Sequence, residues 1–153
     1  MLTRHWLWIA AVLGGLAVVV GAFAAHGLES HLQKKYAGQT QSRAGERMSA
    51  ARKYLGDFET GARYQMYHAL ALLGVGLLAQ RRTKWSVEVA GWSFLLGTVL
   101  FSGSLYALVL TGQTWWGIVA PFGGGLLIFG WAALAMAACP CGSPLPENPE
   151  ASK

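Results

Sequence analysis

Apolar residues in this chain fall into four long runs, separated by polar connections of very different length. Trp6 to Ala25 carries no charge. Ala62 to Ala79 has Arg63 at its edge and His68 inside. Val89 to Leu110 is uncharged, and Trp116 to Ala138 is uncharged but contains Pro121. Each run reaches or approaches the ~20 residues that a helix needs to cross the hydrocarbon core. None shows the alternation of a strand. In lipid the backbone is satisfied only in helices and closed barrels. The pattern therefore predicts an all-α integral membrane bundle of four transmembrane helices, at about 6–25, 62–79, 89–110 and 116–138.

The first run has a rival reading, because Arg4 precedes an apolar stretch that ends in Ala22-Phe23-Ala24, as a cleaved signal peptide does. A retained helix is favoured by its length and by a stripe of small residues, Ala10, Gly14, Ala17, Gly21 and Ala25, along one face. Between the first two runs, residues 26–61 are too polar to span. Leu28, Leu32 and Tyr36 recur every four residues with Gly38 as a stop, and after a polar linker Met48, Ala51, Leu55, Phe58 and Ala62 recur at three and four. That spacing predicts an amphipathic interfacial helix before the chain turns inward, or else a solvated helical loop. The tail, 139–153, holds four of the five prolines and is expected to be disordered.

Composition agrees with the pattern. Hydrophobic residues make up 54% of the 153 and charged ones 12%, too few for an ordinary soluble surface, and the twenty Gly and seven Trp suit helix contacts and interfacial belts. The net charge of +5 lies in the connections and points to lipid head groups, not to nucleic acid. The short basic turn Arg81-Arg82-Thr83-Lys84 favours both termini in the cytoplasm, although the long first loop is also basic.

With four alternating helices, the polar residues gather at one end. At ~1.5 Å per residue, His68 lies ~9 Å in from Ala62, Ser102 ~12 Å in from Leu110 and Pro121 ~7.5 Å in from Trp116. His26, Arg63, Tyr64, Gln65, His68, Ser102, Ser104, Tyr106 and Pro121 thus share one half of the bundle. Pro121 frees a carbonyl near Gly117, and Gly123 and Gly124 follow, so a broken helix start would face polar side chains, as in transporters. The plainer reading makes the cluster interhelical glue. In it, Ser102 and Ser104 bond their own helix and His68 pairs with Tyr106 or Ser102, while Gly14, Gly21, Gly103, Gly123 and Gly124 serve packing. No cofactor or metal is expected. His26 and His68 are mismatched in depth for haem, and Cys139 and Cys141 make half a zinc site at most. No base, acid and nucleophile are assembled, so an enzyme is not expected.

Four segments carry a resemblance: Gly21-Ala-Phe-Ala-Ala-His-Gly-Leu28, Thr60-Gly-Ala-Arg-Tyr-Gln-Met-Tyr-His-Ala-Leu-Ala71, Leu100-Phe-Ser-Gly-Ser-Leu-Tyr106 and Pro121-Phe-Gly-Gly124. In this order they resemble the signature blocks of the YgdD-like family, small bacterial inner-membrane proteins of a domain-of-unknown-function class with small transmembrane relatives in animals. The likeness runs from about residue 5 to 136. It implies a four-helix membrane protein and brings no activity with it. The chain departs from the family pattern at Ala24, where Gly is usual, and at Ala120, where Thr is usual. Gln39 to Arg52 looks like an insertion, and the tail lies outside the resemblance. The expected function is a structural or accessory membrane role through contacts with itself or another membrane protein. The alternative is transport of a small solute, ion or proton through the polar half.

Overall fold

A computed structural model describes residues 3–43, 45–81 and 85–139. The first helix is longer than its apolar run. It comprises α1, Thr3–Phe23, a single π-helical turn, Ala24–Leu28, and α2, Glu29–Lys35, without a break. A short hairpin follows, β1 (Thr40–Arg43) against β2 (Glu46–Ser49), and then α3, Ala50–Ala79, α4, Trp85–Thr111, and α5, Trp116–Ala138. Among the described residues the fold is all-α apart from this hairpin.

Two buried clusters fix the topology. One joins Trp6 near the start of α1, Ala79 at the end of α3, Val87 at the start of α4 and Ala137 at the end of α5. The other joins Leu28 and Leu32 to Ala50, Tyr54 and Phe58 and to Leu108 and Val109. The helices therefore run alternately up and down, with α3 between α1 and α4 and with α5 against α4. His5–Lys35, Trp85–Thr111 and Trp116–Ala138 are long and apolar enough to cross a membrane. In α3 the apolar composition is diluted by Arg63, Gln65 and His68.

The segment between the first two apolar runs departs most from expectation. Leu28 and Leu32 are buried as their spacing predicts, and the helix stops before Gly38, which adopts a φ of 73° that favours glycine. The polar linker folds as the hairpin, with Gly45 at φ 85° in its connection. Met48 lies in β2. Ser49 caps α3 by accepting a bond from the Arg52 N–H at 3.3 Å. The predicted interfacial helix and the second span are one 30-residue helix, ~45 Å long. No turn inward occurs, because nothing between Phe58 and Ala62 stops a helix. The apolar stripe of Ala51, Phe58 and Ala62 is buried against protein, not laid on lipid. On the opposite side Lys53 pairs with Asp57 at 3.1 Å. Together α2, the hairpin and the first turns of α3 form a small head at one end of the bundle, joined to α4 where the Lys35 ammonium donates to the Leu110 carbonyl at 3.3 Å. The predicted disordered tail lies outside the described residues, apart from Cys139.

Glycines set the helix contacts, but not all of those expected. A Cβ on Gly123 would fall 2.4 Å from the Phe101 nitrogen, so α4 and α5 cross backbone against backbone there. Gly97 faces Leu127, Gly130 faces Phe94, Gly91 lies under Trp6 and Gly76 meets Leu7. Gly14 and Gly124 make ordinary contacts, with Ala69 and Phe101. A Cβ on Gly21 or Gly103 would meet nothing within 4 Å, so neither packs closely against another helix of this chain. The stripe on α1 loses its neighbour after Ala17, because the buried face continues through Ala24, Leu28 and Leu32 instead.

Candidate functional site

Polar groups in lipid are satisfied by one another or carry a function, and in this bundle most pair. Gln65, buried on α3, is the centre of the largest tie. Its amide nitrogen donates to the Leu13 carbonyl of α1 at 2.9 Å, and its amide oxygen accepts from the Tyr106 hydroxyl of α4 at 3.0 Å. One side chain thus joins three helices. Tyr106 reaches it by lying across Gly61, where a Cβ would stand 2.8 Å from the ring. Phe58 packs on the same ring, with centroids 4.8 Å apart. Gly61, a residue the sequence did not single out, is what lets the phenol approach the helix.

His68 sits one turn deeper and has different partners from those expected. Its Nδ1 lies 2.8 Å from the Tyr64 carbonyl, which can only accept, so Nδ1 carries the hydrogen. Nε2 is then the acceptor, and the Trp131 indole N–H of α5 donates to it at 3.4 Å. Phe94 and Tyr64 flank the imidazole, with centroids 5.6 and 6.0 Å away. His68 pairs with neither Tyr106 nor Ser102, because its position on α3 turns it toward α5. Trp131 was not anticipated, since tryptophan is read as an interfacial residue. The available signal was an indole N–H deep in an apolar run, at a depth where only another buried polar group can accept it.

The remaining expected members divide. Ser104 donates to the Phe101 carbonyl at 2.9 Å, within its own helix as the plainer reading held. Ser102 is buried, yet its hydroxyl has no hydrogen-bond partner among the described residues, and neither has that of Thr98 one turn earlier. Ser102→Ala is therefore expected to leave the melting temperature unchanged or slightly higher, since the hydroxyl gives up hydration and gains nothing. A clear loss of stability in a thermal melt would mean that it has a partner. Arg63 is exposed and donates to Thr60 at 3.3 Å. His26 is exposed in the π-turn, and Pro121 is exposed on α5, so neither belongs to the cluster. α5 is also continuous through Pro121, which stands near enough to the helix start that only the Gly117 carbonyl is freed. The predicted helix break facing the polar residues is absent.

Between α3 and α5, which barely touch, a groove of about 530 Å³ opens to the outside of the bundle. Tyr64, Tyr67 and His68 form one wall, Gly124, Ile128 and Trp131 the other, and Phe101 the floor. At the opposite end of the bundle Trp6 donates to Glu88 at 3.2 Å and meets Trp92 edge to face. Among the described residues no group of three or more His, Cys, Asp or Glu side chains is placed to hold a metal ion.

A bundle of apolar helices tied internally by Gln65 and His68 defines a helical integral membrane protein. Residues 20–124 match the family described as proteins of unknown function, DUF423, and the chain belongs to that family. It is 40% identical over 134 residues to the UPF0382 membrane protein SERP0230 of Staphylococcus epidermidis, covering 88% of this chain and 94% of that one. It is 39% identical over 136 residues to the UPF0382 membrane protein YwdK of Bacillus subtilis, covering 88% and 96%. Against the UPF0382 inner membrane protein YgdD of Escherichia coli it is 36% identical over 138 residues, covering 90% and 92%. The resemblance drawn from the four signature segments is thereby borne out. No solved structure matches the chain.

Proposed function

We propose that this chain is a four-span accessory component of the bacterial inner membrane, with both termini in the cytoplasm, acting through lateral contacts with a second copy or another membrane protein rather than as an enzyme. The observation that carries this reading is the Gln65 tie. Two polar residues of the family signature, Gln65 and Tyr106, are occupied in joining α1, α3 and α4. A side chain committed to two interhelical bonds serves cohesion before transport. Four spans are supported by α3 lying between two helices of spanning length and composition. Arg63 then stands near the head end of α3, where a long side chain snorkels to the interface. Cytoplasmic termini are supported by the basic turn after α3.

Lateral contact is supported by glycines that face outward with no neighbour, Gly21 on α1 and Gly103 on α4, as well as Gly117 and Gly125 on α5. Small residues let a second helix approach closely in lipid. Gly21→Leu and Gly103→Leu are therefore expected to leave thermal melting in detergent unchanged while weakening complexes seen by in-cell crosslinking and native mass spectrometry. Unaltered complexes in both variants, with a proteoliposome ion flux that disappears in His68→Ala, would favour the transport alternative instead.

A further inference from the structure

The groove between α3 and α5 goes beyond that reading. Its wall carries a histidine at a depth that water and phospholipid head groups do not reach. Counted along the helices, His68 is ~16 Å from Ala79, and Trp131 is ~10 Å from Ala138 and ~22 Å from Trp116. In a hydrocarbon core ~30 Å thick, both lie ~10 Å inside the nearer surface. Buried residues at that depth are ordinarily apolar or fully paired. Here the pairing is incomplete. The Trp131 indole reaches His68 Nε2 only at 3.4 Å, a long bond. Trp131 is itself half exposed on the groove surface.

We infer that this groove binds a lipid-soluble ring bearing a hydrogen-bonding oxygen, of the quinone and quinol class. Three observations select that chemistry. First, beside the Tyr64 and Tyr67 side chains the groove holds one donor and one acceptor side by side, the indole N–H and the imidazole Nε2, whose roles are fixed by the Nδ1–H bond to the Tyr64 carbonyl. A quinone carbonyl accepts from the indole. A quinol hydroxyl does the same and also donates to Nε2, which replaces the long bond with two short ones. Second, the lining is aromatic on several sides: Tyr64 and Phe101 lie tilted against each other with centroids 4.8 Å apart, and Trp131 is backed edge to face by buried Phe94 at 5.2 Å. Flat rings are held well by such surfaces, through offset stacking and edge contacts. Third, about 530 Å³ lies within the ~300–1,000 Å³ range of small-ligand sites.

The groove also opens sideways, past Tyr67 and Ile128, both well exposed. A ligand therefore enters from the lipid with its tail left in the bilayer. A phospholipid is excluded because its polar group stays at the interface. A sugar, ion or peptide is disfavoured because the lining is mainly apolar.

The test uses the full chain in nanodiscs of phosphatidylethanolamine and phosphatidylglycerol with a photoreactive azidobenzoquinone that carries a decyl chain. Labelled peptides are mapped by mass spectrometry. Labelling is expected on α3 and α5 at the groove, saturable, and removed by excess decyl-benzoquinone but not by decanol. Trp131→Phe and His68→Ala are expected to lower it at least tenfold. Ile128→Trp fills the groove from its lipid side without touching the polar pair, and is expected to abolish labelling while leaving the thermal melt unchanged. Met136→Trp, elsewhere on α5, is expected to have no effect. Labelling that spreads over the lipid-facing surface, resists competition or survives Ile128→Trp would overturn the proposal. So would a disulfide forming between cysteines placed at position 128 in two copies, which would make the occupant a second chain. None of these outcomes depends on whether Gly21 and Gly103 mediate association.

Discussion

Gly123→Val is expected to detach α5 from α4. At this crossing the two backbones meet without side chains between them, and even a Cβ would stand 2.4 Å from the Phe101 nitrogen and 2.8 Å from its Cα. Flexible side chains can turn away from such a collision, whereas a helix backbone cannot. The helices must separate by at least an ångström, and every contact along the seam loosens with them, including Gly97 against Leu127 and Gly130 against Phe94. Membrane helices associate largely through this close packing, with no hydrophobic drive to press them together. Overpacking usually costs ~1–3 kcal/mol. With backbone as the obstacle, the cost is expected to be about 3 kcal/mol or more. Thermal unfolding in nanodiscs, followed by circular dichroism, measures it. Gly125→Val, where nothing lies within 4 Å, is the control and should melt like wild type. Equal melting of the two variants would show that the close crossing does not exist.

The second large effect is expected at Gln65→Leu. Leucine fills most of the volume but offers neither donor nor acceptor. The Leu13 carbonyl loses little, since it keeps its place in the hydrogen bonding of α1. The Tyr106 hydroxyl is worse placed, because it is held under Phe58 and over Gly61 with no other acceptor among the described residues. Interhelical bonds in membranes average ~0.6 kcal/mol, and a stranded buried hydroxyl costs ~1–3 kcal/mol. The sum is about 2–3 kcal/mol. Tyr106→Phe alone strands the buried amide oxygen of Gln65 and is expected to cost about 1–3 kcal/mol. Added to Gln65→Leu, it should recover part of the loss, because no hydroxyl then remains unpaired. A double-mutant cycle in reversible detergent unfolding reads this coupling directly. Additive effects of the two substitutions would mean that the side chains do not interact.

These two sites mark what the sequence made legible. Apolar run length alone located α5 at its bounds and α3 at its end. Hydropathy is a one-dimensional property, and the membrane imposes a one-dimensional constraint on it. Depth arithmetic placed Gln65 and Tyr106 in the same half of the bundle, where they bond. It could not supply helix rotation, which decides partners. Rotation sends His68 toward Trp131 and leaves Pro121 and His26 outside. The glycine contacts illustrate a related limit. Spacing marks a small face but not whether a neighbour lies against it: Gly123 meets Phe101, whereas a Cβ on Gly21 would meet nothing within the chain. The hairpin escaped sequence reading because its strands, Thr40–Arg43 and Glu46–Ser49, hold Met48 as their one apolar residue, and Met48 also fits the helical spacing that follows. It is held by the ends it joins, through the Ala50 N–H to the Gln39 carbonyl at 2.9 Å and Gln41 to Tyr54 at 3.1 Å.

The Gln65 bridge also imposes an order in time on biosynthesis. The chain emerges from the ribosome N-terminus first, so α1 and α3 can meet and close the amide's bond to Leu13 while α4 is still being made. The amide oxygen then waits for Tyr106, 41 residues further along, before its second valence is filled. During that interval the α1–α3 hairpin carries an open acceptor. Until α4 arrives, the α1–α3 pair carries a polar group that only a later part of the chain can satisfy, so the bond that joins three helices is completed by the third of them.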